Sequence, residues 1–499
     1  MSAFPGILQS LGLIDSGPDD AEVFAPQIIV KFEDSVTLTI NQGQTLTVDA
    51  LANQTGSAGS TAVQNINAIS SGIVFSRACD SLSPADVQNL VNGAKEQDPS
   101  YEPPNFNNFL QIIPDPGLGA GQIVDALNQW TGVVEYAYVA GVPADPNVTG
   151  VSNPLFGQEG FLDPAPTGIG AQAAWAKGAD GTGSAFIDIE QGWFLGHQDL
   201  PVGIPLLMGT NRTNSFSHGT GVLGEIVAID GTFGIVGIAP EARASVISYF
   251  EPSQDPGKNA TAQVYDRIIS AIKGLFFGNV LLLEIQFTGD VGNQRGTNVP
   301  VETDPHIFEA IRLATKFGVI VVEAAGNGSA NLDNFIGTKG NDKGKNVLSR
   351  SAGADFKDSG AIMVGGGTSN FPHSRWAGSN FGTRIDCYAW AENIVTCAFN
   401  PTQANIFFGV AGQTPIVEGK PFPHGFGGTS GASPIIVGCC LLIQHLQSIL
   451  TPKSGTGSLG PTSMRTILSN PQNGTDSFLV TDQISVMPDM QKIIANQYV

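Results

Sequence analysis

Short apolar runs separated by small polar residues set the pattern of the chain. After residues 1–25, where Gly, Pro and Asp follow no period and a loose arm is expected, Pro26–Phe32 (PQIIVKF) is the first clear strand. Gly43–Gln64 is polar and small and predicts no element. Gly72–Phe75 reads as extended. Ser83–Lys95 opens with Ser-Pro and places Val87, Leu90 and Val91 on one face, the pattern of an N-capped helix. Asn108–Ile113 is a strand closed by Pro114, Ala120–Trp130 has helical spacing, and Val133–Val139 alternates. Residues 26–143 therefore predict a small α+β domain.

Residues 144–166 hold four prolines and no long apolar run, which predicts an exposed connection and a domain boundary. Over residues 167–499, strand-like runs (Ser184–Ile187, Val280–Ile285, Val319–Val322, Ile362–Val364) alternate with helix-like segments such as Thr261–Phe277 and Pro305–Phe317. Such alternation predicts an α/β domain, a mostly parallel sheet with helices on both faces.

Charge narrows the partners. With 23 Lys+Arg against 44 Asp+Glu the net charge is −21 and no basic cluster occurs, so nucleic acid and anionic membrane surfaces are poor partners. The longest apolar stretch, near Pro434–Ile443, is too short to span a bilayer. Only 13% of residues are charged, against roughly 25% in ordinary globular proteins, a composition of extracellular type. The first basic residue is Lys31 and no export signal is visible, so the compartment stays open. The five cysteines show no metal-binding spacing; Cys387 and Cys397 either close a small disulfide loop or, like the others, are buried thiols. Gly168–Ala173 imitates a dinucleotide fingerprint but follows a proline-rich loop where a strand is needed.

Four segments carry candidate chemistry. Ala185–Asp188 is an apolar strand ending in a carboxylate placed to orient a histidine, followed by His197-Gln198-Asp199-Leu200. Phe216–Gly224 (FSHGTGVLG) sets His218 at the start of a small-residue helix. Gly318–Val322 runs into Glu323–Gly328 (EAAGNG), whose Asn327 amide can donate into a cleft. Phe426–Pro434 (FGGTSGASP) puts Ser430 at a helix N-terminus, where exposed N–H groups favour an oxyanion.

The chain order Asp188, His218, Asn327, Ser430 is that of a subtilisin-type site. FSHGTGVLG, AAGNG and GGTSGASP resemble the histidine, oxyanion-asparagine and serine motifs of the subtilases, and the resemblance covers Thr167–Ile494. It implies a subtilisin-like serine endopeptidase with Asp188, His218 and Ser430 catalytic, and with Asn327 and the Ser430 N–H as oxyanion hole. The acid motif is looser, since the family continues from its aspartate with Ser/Thr-Gly; Glu190 is the distant alternative. Glu284, Ile285, Gln286, Ala325 and Gly326 are the expected substrate-binding positions. Glu284 and Glu323, at matching places on neighbouring strands, either share a proton or are two separately solvated or capped carboxylates. No cofactor is implied for catalysis. Structural calcium is an expectation near Asp199, Ile229, Phe233 and Ile235, with Gly231 in place of the usual side-chain donor.

Residues 26–143 resemble, more weakly, the ferredoxin-like propeptide that precedes subtilase domains. This implies a self-processed zymogen whose N-terminal domain is folding chaperone and inhibitor, cut within Pro143–Glu159. Two other readings are an inactive subtilase fold that binds peptides and a dedicated intracellular processing peptidase.

Overall fold

The computed structural model describes residues 27–114, 119–140, 143–144, 156–230, 234–254, 260–400, 405–409, 416–417, 420–421, 426–450, 452–453 and 457–498. The expected arm 1–25, Phe233 and most of the expected processing stretch lie outside them.

The N-terminal strands β1 (Ile28–Phe32), β2 (Leu46–Thr47), β3 (Val74–Arg77), β4 (Phe109–Ile112) and β5 (Val134–Val139) form an antiparallel sheet in the order β2-β3-β4-β1-β5. Helices α1 (Val48–Gln54), α2 (Thr61–Ile69), α3 (Pro84–Gln97) and α4 (Ala120–Asn128) accompany it. The first lies in, and the second begins in, the segment in which the sequence pattern predicts no element. Thr47 and Ser60 cap them, each accepting a backbone N–H, and Val48, Leu51, Val63 and Ile66 supply the buried face. Strand alternation divides β1 between two cores: Ile28, Val30 and Phe32 face the apolar cluster of the N-terminal sheet, whereas Ile29 joins the main core.

After a two-residue strand β6 (Pro143–Ala144) comes the main sheet. Its strands are β7 (Ala185–Glu190), β8 (Leu206–Met208), β9 (Arg243–Ser248), β10 (Val280–Leu283), β13 (Ile320–Ala324), β14 (Ile362–Gly367) and β15 (Cys387–Trp390), with the hairpin β11 (Gln286–Val291) and β12 (Gln294–Pro300) between β10 and β13. The seven run parallel in the order β15-β14-β13-β10-β7-β9-β8. Helices α5 (Phe216–Val227), α6 (Val264–Lys273), α7 (Pro305–Phe317) and α8 (Thr429–Ile449) pack against it. Pro305 at the start of α7 and left-handed Gly318 (φ 100°) after it delimit that helix as the sequence predicts. Helix α8 is long and apolar enough for a bilayer, yet its apolar side chains, such as Ile436, Val437 and Leu441, are buried in the protein. All five cysteines are buried free thiols, so the Cys387–Cys397 bridge is not formed.

The N-terminal sheet is seated on α6 and α7. Lys316 Nζ lies 2.5 Å from Asp98 Oδ2, Ser81 Oγ donates to Asp266 Oδ1 at 2.6 Å, and Tyr138 OH donates to Asp304 Oδ1 at 2.6 Å.

Within the main domain, Arg384 is fully buried. Its Nε and Nη2 reach the two Glu302 oxygens at 2.6 and 3.1 Å, and its Nη1 reaches Asp386 Oδ2 at 2.7 Å. Removing one side of such a network leaves uncompensated charge in a dry interior. Arg384→Ala is therefore expected to lower the unfolding free energy by about 3–5 kcal/mol in denaturant titration. A loss below about 1 kcal/mol would show that water relieves the stranded carboxylates.

Candidate active site

Strand β7 is buried along its whole length, carboxylates included. Asp188 and Glu190, two residues apart, share the face that carries α5. The expected Asp188–His218 pairing is corrected here: Glu190 Oε2 meets His218 Nδ1 at 2.6 Å, while Asp188 Oδ2 accepts from Trp193 Nε1 at 2.7 Å. The physical reason is strand length. The strand runs past Asp188 to Glu190, so the carboxylate at its C-terminal end is the glutamate. Glu190-Gln191-Gly192 keeps the acid–x–Gly spacing of the family motif, the one sequence signal that points to Glu190.

Gly219 lets the histidine helix close on the turn after the acid strand, and Gly192 lets that turn close on the Arg212 backbone. A Cβ on Gly219, next to His218, would collide with the Gly192 carbonyl and the Trp193 ring. On its other side the imidazole lies 5.6 Å from the Phe426 ring, centroid to centroid, and α5 packs against α8.

Ser430 is the second residue of α8 and is 2% exposed. Asn327 is locked beside it. Its Oδ1 accepts from both Thr429 N and Thr429 Oγ1 at 2.9 Å, so its Nδ2 is the end left to donate. Gln286 Oε1 accepts from Asn327 N at 2.8 Å, and Thr429 Oγ1 accepts from Gly326 N at 3.2 Å. Gly428 (φ 76°) allows this approach: a Cβ there would sit 3.0 Å from Asn327 Nδ2. Sequence reasoning missed the locking roles of Thr429 and Trp193.

The family comparison decides what this arrangement belongs to. The profile of the subtilase family (Peptidase_S8) matches residues 208–480, more than half of the chain, a stretch that includes His218, Asn327 and Ser430. The chain belongs to the subtilase family. It is thus a serine peptidase, and the matched stretch begins beyond the divergent acid strand.

Among curated relatives, the major intracellular serine protease of Bacillus subtilis is 28% identical over 290 residues, 56% of this chain and 74% of the relative. Subtilisin DY of Bacillus licheniformis is 28% identical over 173 residues, 34% of this chain and 57% of the relative. Fervidolysin of Fervidobacterium pennivorans, described as a keratinolytic enzyme related to subtilisin, shares the fold with TM-score 0.54 at 16% identity; the match covers 97% of this chain and 63% of fervidolysin.

Of the expected substrate-binding positions in this subtilase, Gln286 and Gly326 lie against the Asn327 turn. Ile285, Ala325 and Glu284 are buried at 1%, 0% and 1% exposure. Glu284 faces inward beneath α8, close to the hydroxyls of Ser433 and Ser430. The alternative in which Glu284 and Glu323 share a proton is corrected by register. Glu323 pairs with Leu283, one residue short of Glu284, so the two carboxyls lie on opposite faces of the sheet. Glu323 instead accepts from Glu302 N at 2.9 Å.

At the loop expected to hold calcium, Asp199 Oδ2 accepts from Ile235 N at 2.9 Å, Ile229 N donates to Asp199 O at 2.9 Å, and Glu159 Oε2 accepts from Val236 N at 3.2 Å. Burial pushes the Asp199 carboxyl up to about 6. Residues 231–233 of that loop, Phe233 among them, lie outside the described residues. Among the described residues no group of three or more His, Cys, Asp or Glu gathers to hold a metal.

Burial raises the carboxyls of Asp188, Glu225, Glu284 and Glu323 well above their ordinary range. A carboxyl that is harder to ionise folded than unfolded contributes stability that is full below the unfolded pKa, near 4. That contribution is lost as pH rises toward the folded value, by up to about 1.4 kcal/mol per pH unit per group. Asp358, held low by Arg465 despite burial, acts in the opposite sense only at strongly acidic pH. Calorimetry from about pH 4 to 9 is expected to find the highest melting temperature on the acidic side and a fall toward alkaline pH. A melting temperature that rises with pH would refute the neutral interior carboxyls.

Proposed function

We propose that this subtilase is an endopeptidase acting on proteins or peptides through Ser430, His218 and Glu190, and that its N-terminal region is an intramolecular inhibitor removed by self-cleavage. The observation that carries the catalytic part is the 2.6 Å contact between His218 Nδ1 and Glu190. Because a carboxylate only accepts, Nδ1 holds the proton and Nε2 is the base. His218 takes the Ser430 hydroxyl proton as Oγ attacks the peptide carbonyl, then returns it to the leaving amine; Glu190 stabilises the imidazolium. Water repeats the sequence on the acyl-enzyme. Asn327 Nδ2 and the Ser430 N–H, at the positive end of α8, receive the charge developing on the carbonyl oxygen.

The zymogen part is supported by β6, which pairs antiparallel with β11, Ala144 opposite Gln286 and Pro143 opposite Phe287. The chain leaving the N-terminal sheet thus lies on the strand whose Gln286 holds the oxyanion asparagine, as a bound product would. On this reading the cut falls within Pro143–Glu159. The hydrogen-bonded histidine and the pre-oriented asparagine weigh against an inactive peptide-binding module.

Terminal sequencing of purified protein tests both parts. Wild type is expected to shorten to an N-terminus within residues 144–160, while Ser430→Ala stays full-length and inert. Asn327→Ala is expected to lose about 10²–10³-fold in kcat on a peptide substrate. If wild type and Ser430→Ala both stay full-length and neither cuts a denatured protein, the reading fails.

A further inference from the structure

The acid strand carries one carboxyl more than a serine, histidine and acid constellation uses. Asp188 is fully buried, and its Oδ2 takes the Trp193 indole N–H at 2.7 Å. Its Oδ1 meets no donor, and the carboxyl lies against that of Glu190. The titratable groups facing it are Glu190 on its own strand, His218 on α5 and Glu284 on β10's side of the same sheet face. Among the described residues, these three carboxyls thus face the imidazole of His218 in a dry pocket, with the buried Glu225 beyond Glu284. Ionising all of them there would set like charges together in low dielectric, so protons must remain on those without a cationic partner. Glu190 is the one in contact with the imidazole of His218.

We propose that Asp188 is a neutral carboxylic acid that donates a hydrogen bond from Oδ1 to Glu190, and so positions the carboxylate that holds His218. The inference rests on Glu190 being the histidine's partner in catalysis. The two oxygens of Asp188 then match their neighbours: the carbonyl oxygen accepts from Trp193, and the hydroxyl donates to Glu190. A glutamate has one more rotatable bond than an aspartate, so the longer acid needs an added restraint to hold its carboxylate on the imidazole. Asp188 and Trp193 supply it. Burial and the Glu190 charge keep the Asp188 proton in place. Asp188 is thus a positioning residue, and its ionisation sets an alkaline limit on activity.

Asn carries a donor where the neutral acid carries its hydroxyl. On a peptide substrate, Asp188→Asn is expected to keep kcat/KM at the optimum within about tenfold of wild type and to move the alkaline limb to higher pH. Asp188→Ala is expected to lose more than about tenfold, chiefly in kcat, with KM little changed. Glu190→Gln is expected to lose about 10⁴-fold. Loss in Asp188→Asn equal to that in Glu190→Gln, or an alkaline limb that does not move, overturns the proposal.

A measurement that needs no substitution at position 188 stands beside these. In ¹³C-aspartate-labelled Ser430→Ala at about pH 8, infrared spectra are expected to show the carbonyl stretch of a protonated aspartic acid, since other aspartates are ionised there. Its absence overturns the proposal whatever the variants do. The underlying triad reading fails separately, by full activity in both Ser430→Ala and Glu190→Gln.

Discussion

One hydrogen bond in a dry pocket organises the functional half of this molecule: the imidazole of His218 on the carboxylate of Glu190. To form it, the turn after the acid strand and a helix from a different part of the chain must meet more closely than side chains ordinarily allow. Gly219 removes the Cβ that would strike the Gly192 carbonyl and the Trp193 ring. The parallel register then fixes what else is near. Asp188, Glu190 and Glu284 occupy one face of adjacent strands, under the helices that carry His218 and Ser430. The burial that strengthens the histidine contact also makes every extra carboxyl costly to ionise, so the site's geometry and its proton inventory have a common origin.

The opposite face of the sheet handles its charge differently. There Glu302, Glu323, Asp386 and Arg384 form a hydrogen-bonded network with a guanidinium at its centre. On that side Arg384 neutralises Glu302 and Asp386, while burial raises the Glu323 carboxyl there as it raises Asp188 and Glu284 on the side of α5 and α8. The contrast follows from one-residue register. Had β13 slipped by one position against β10, Glu323 would have joined the carboxyls under Ser430 and the Glu302 N–H would have lost its acceptor.

Legibility in the sequence followed how strongly each residue type marks its place. The motifs around His218, Asn327 and Ser430 could be read because small residues and glycines are dictated by close approach. Helix Pro305–Phe317 was readable at both ends because proline and glycine punctuate it. The acid strand was not. In AFIDIE a polar residue looks like a strand end, whereas the folded strand buries both acids and continues. The two helices that begin within Gly43–Gln64 escaped because few apolar positions mark that segment, and only the caps Thr47 and Ser60 signalled their starts. The pairing imagined for Glu284 and Glu323 failed because alternation within each strand does not reveal the offset between strands.

The short strand Pro143–Ala144 has a consequence for how a foreign chain gains entry. A polypeptide reaching Asn327 along β11 needs the same backbone groups that this segment already satisfies. Access is therefore a competition for a single sheet edge, and the resident competitor is tethered. Its local concentration does not fall on dilution, whereas that of any outside chain does. While the tether is intact, the edge favours its own occupant over every visitor. Were it severed, the two would compete by affinity alone.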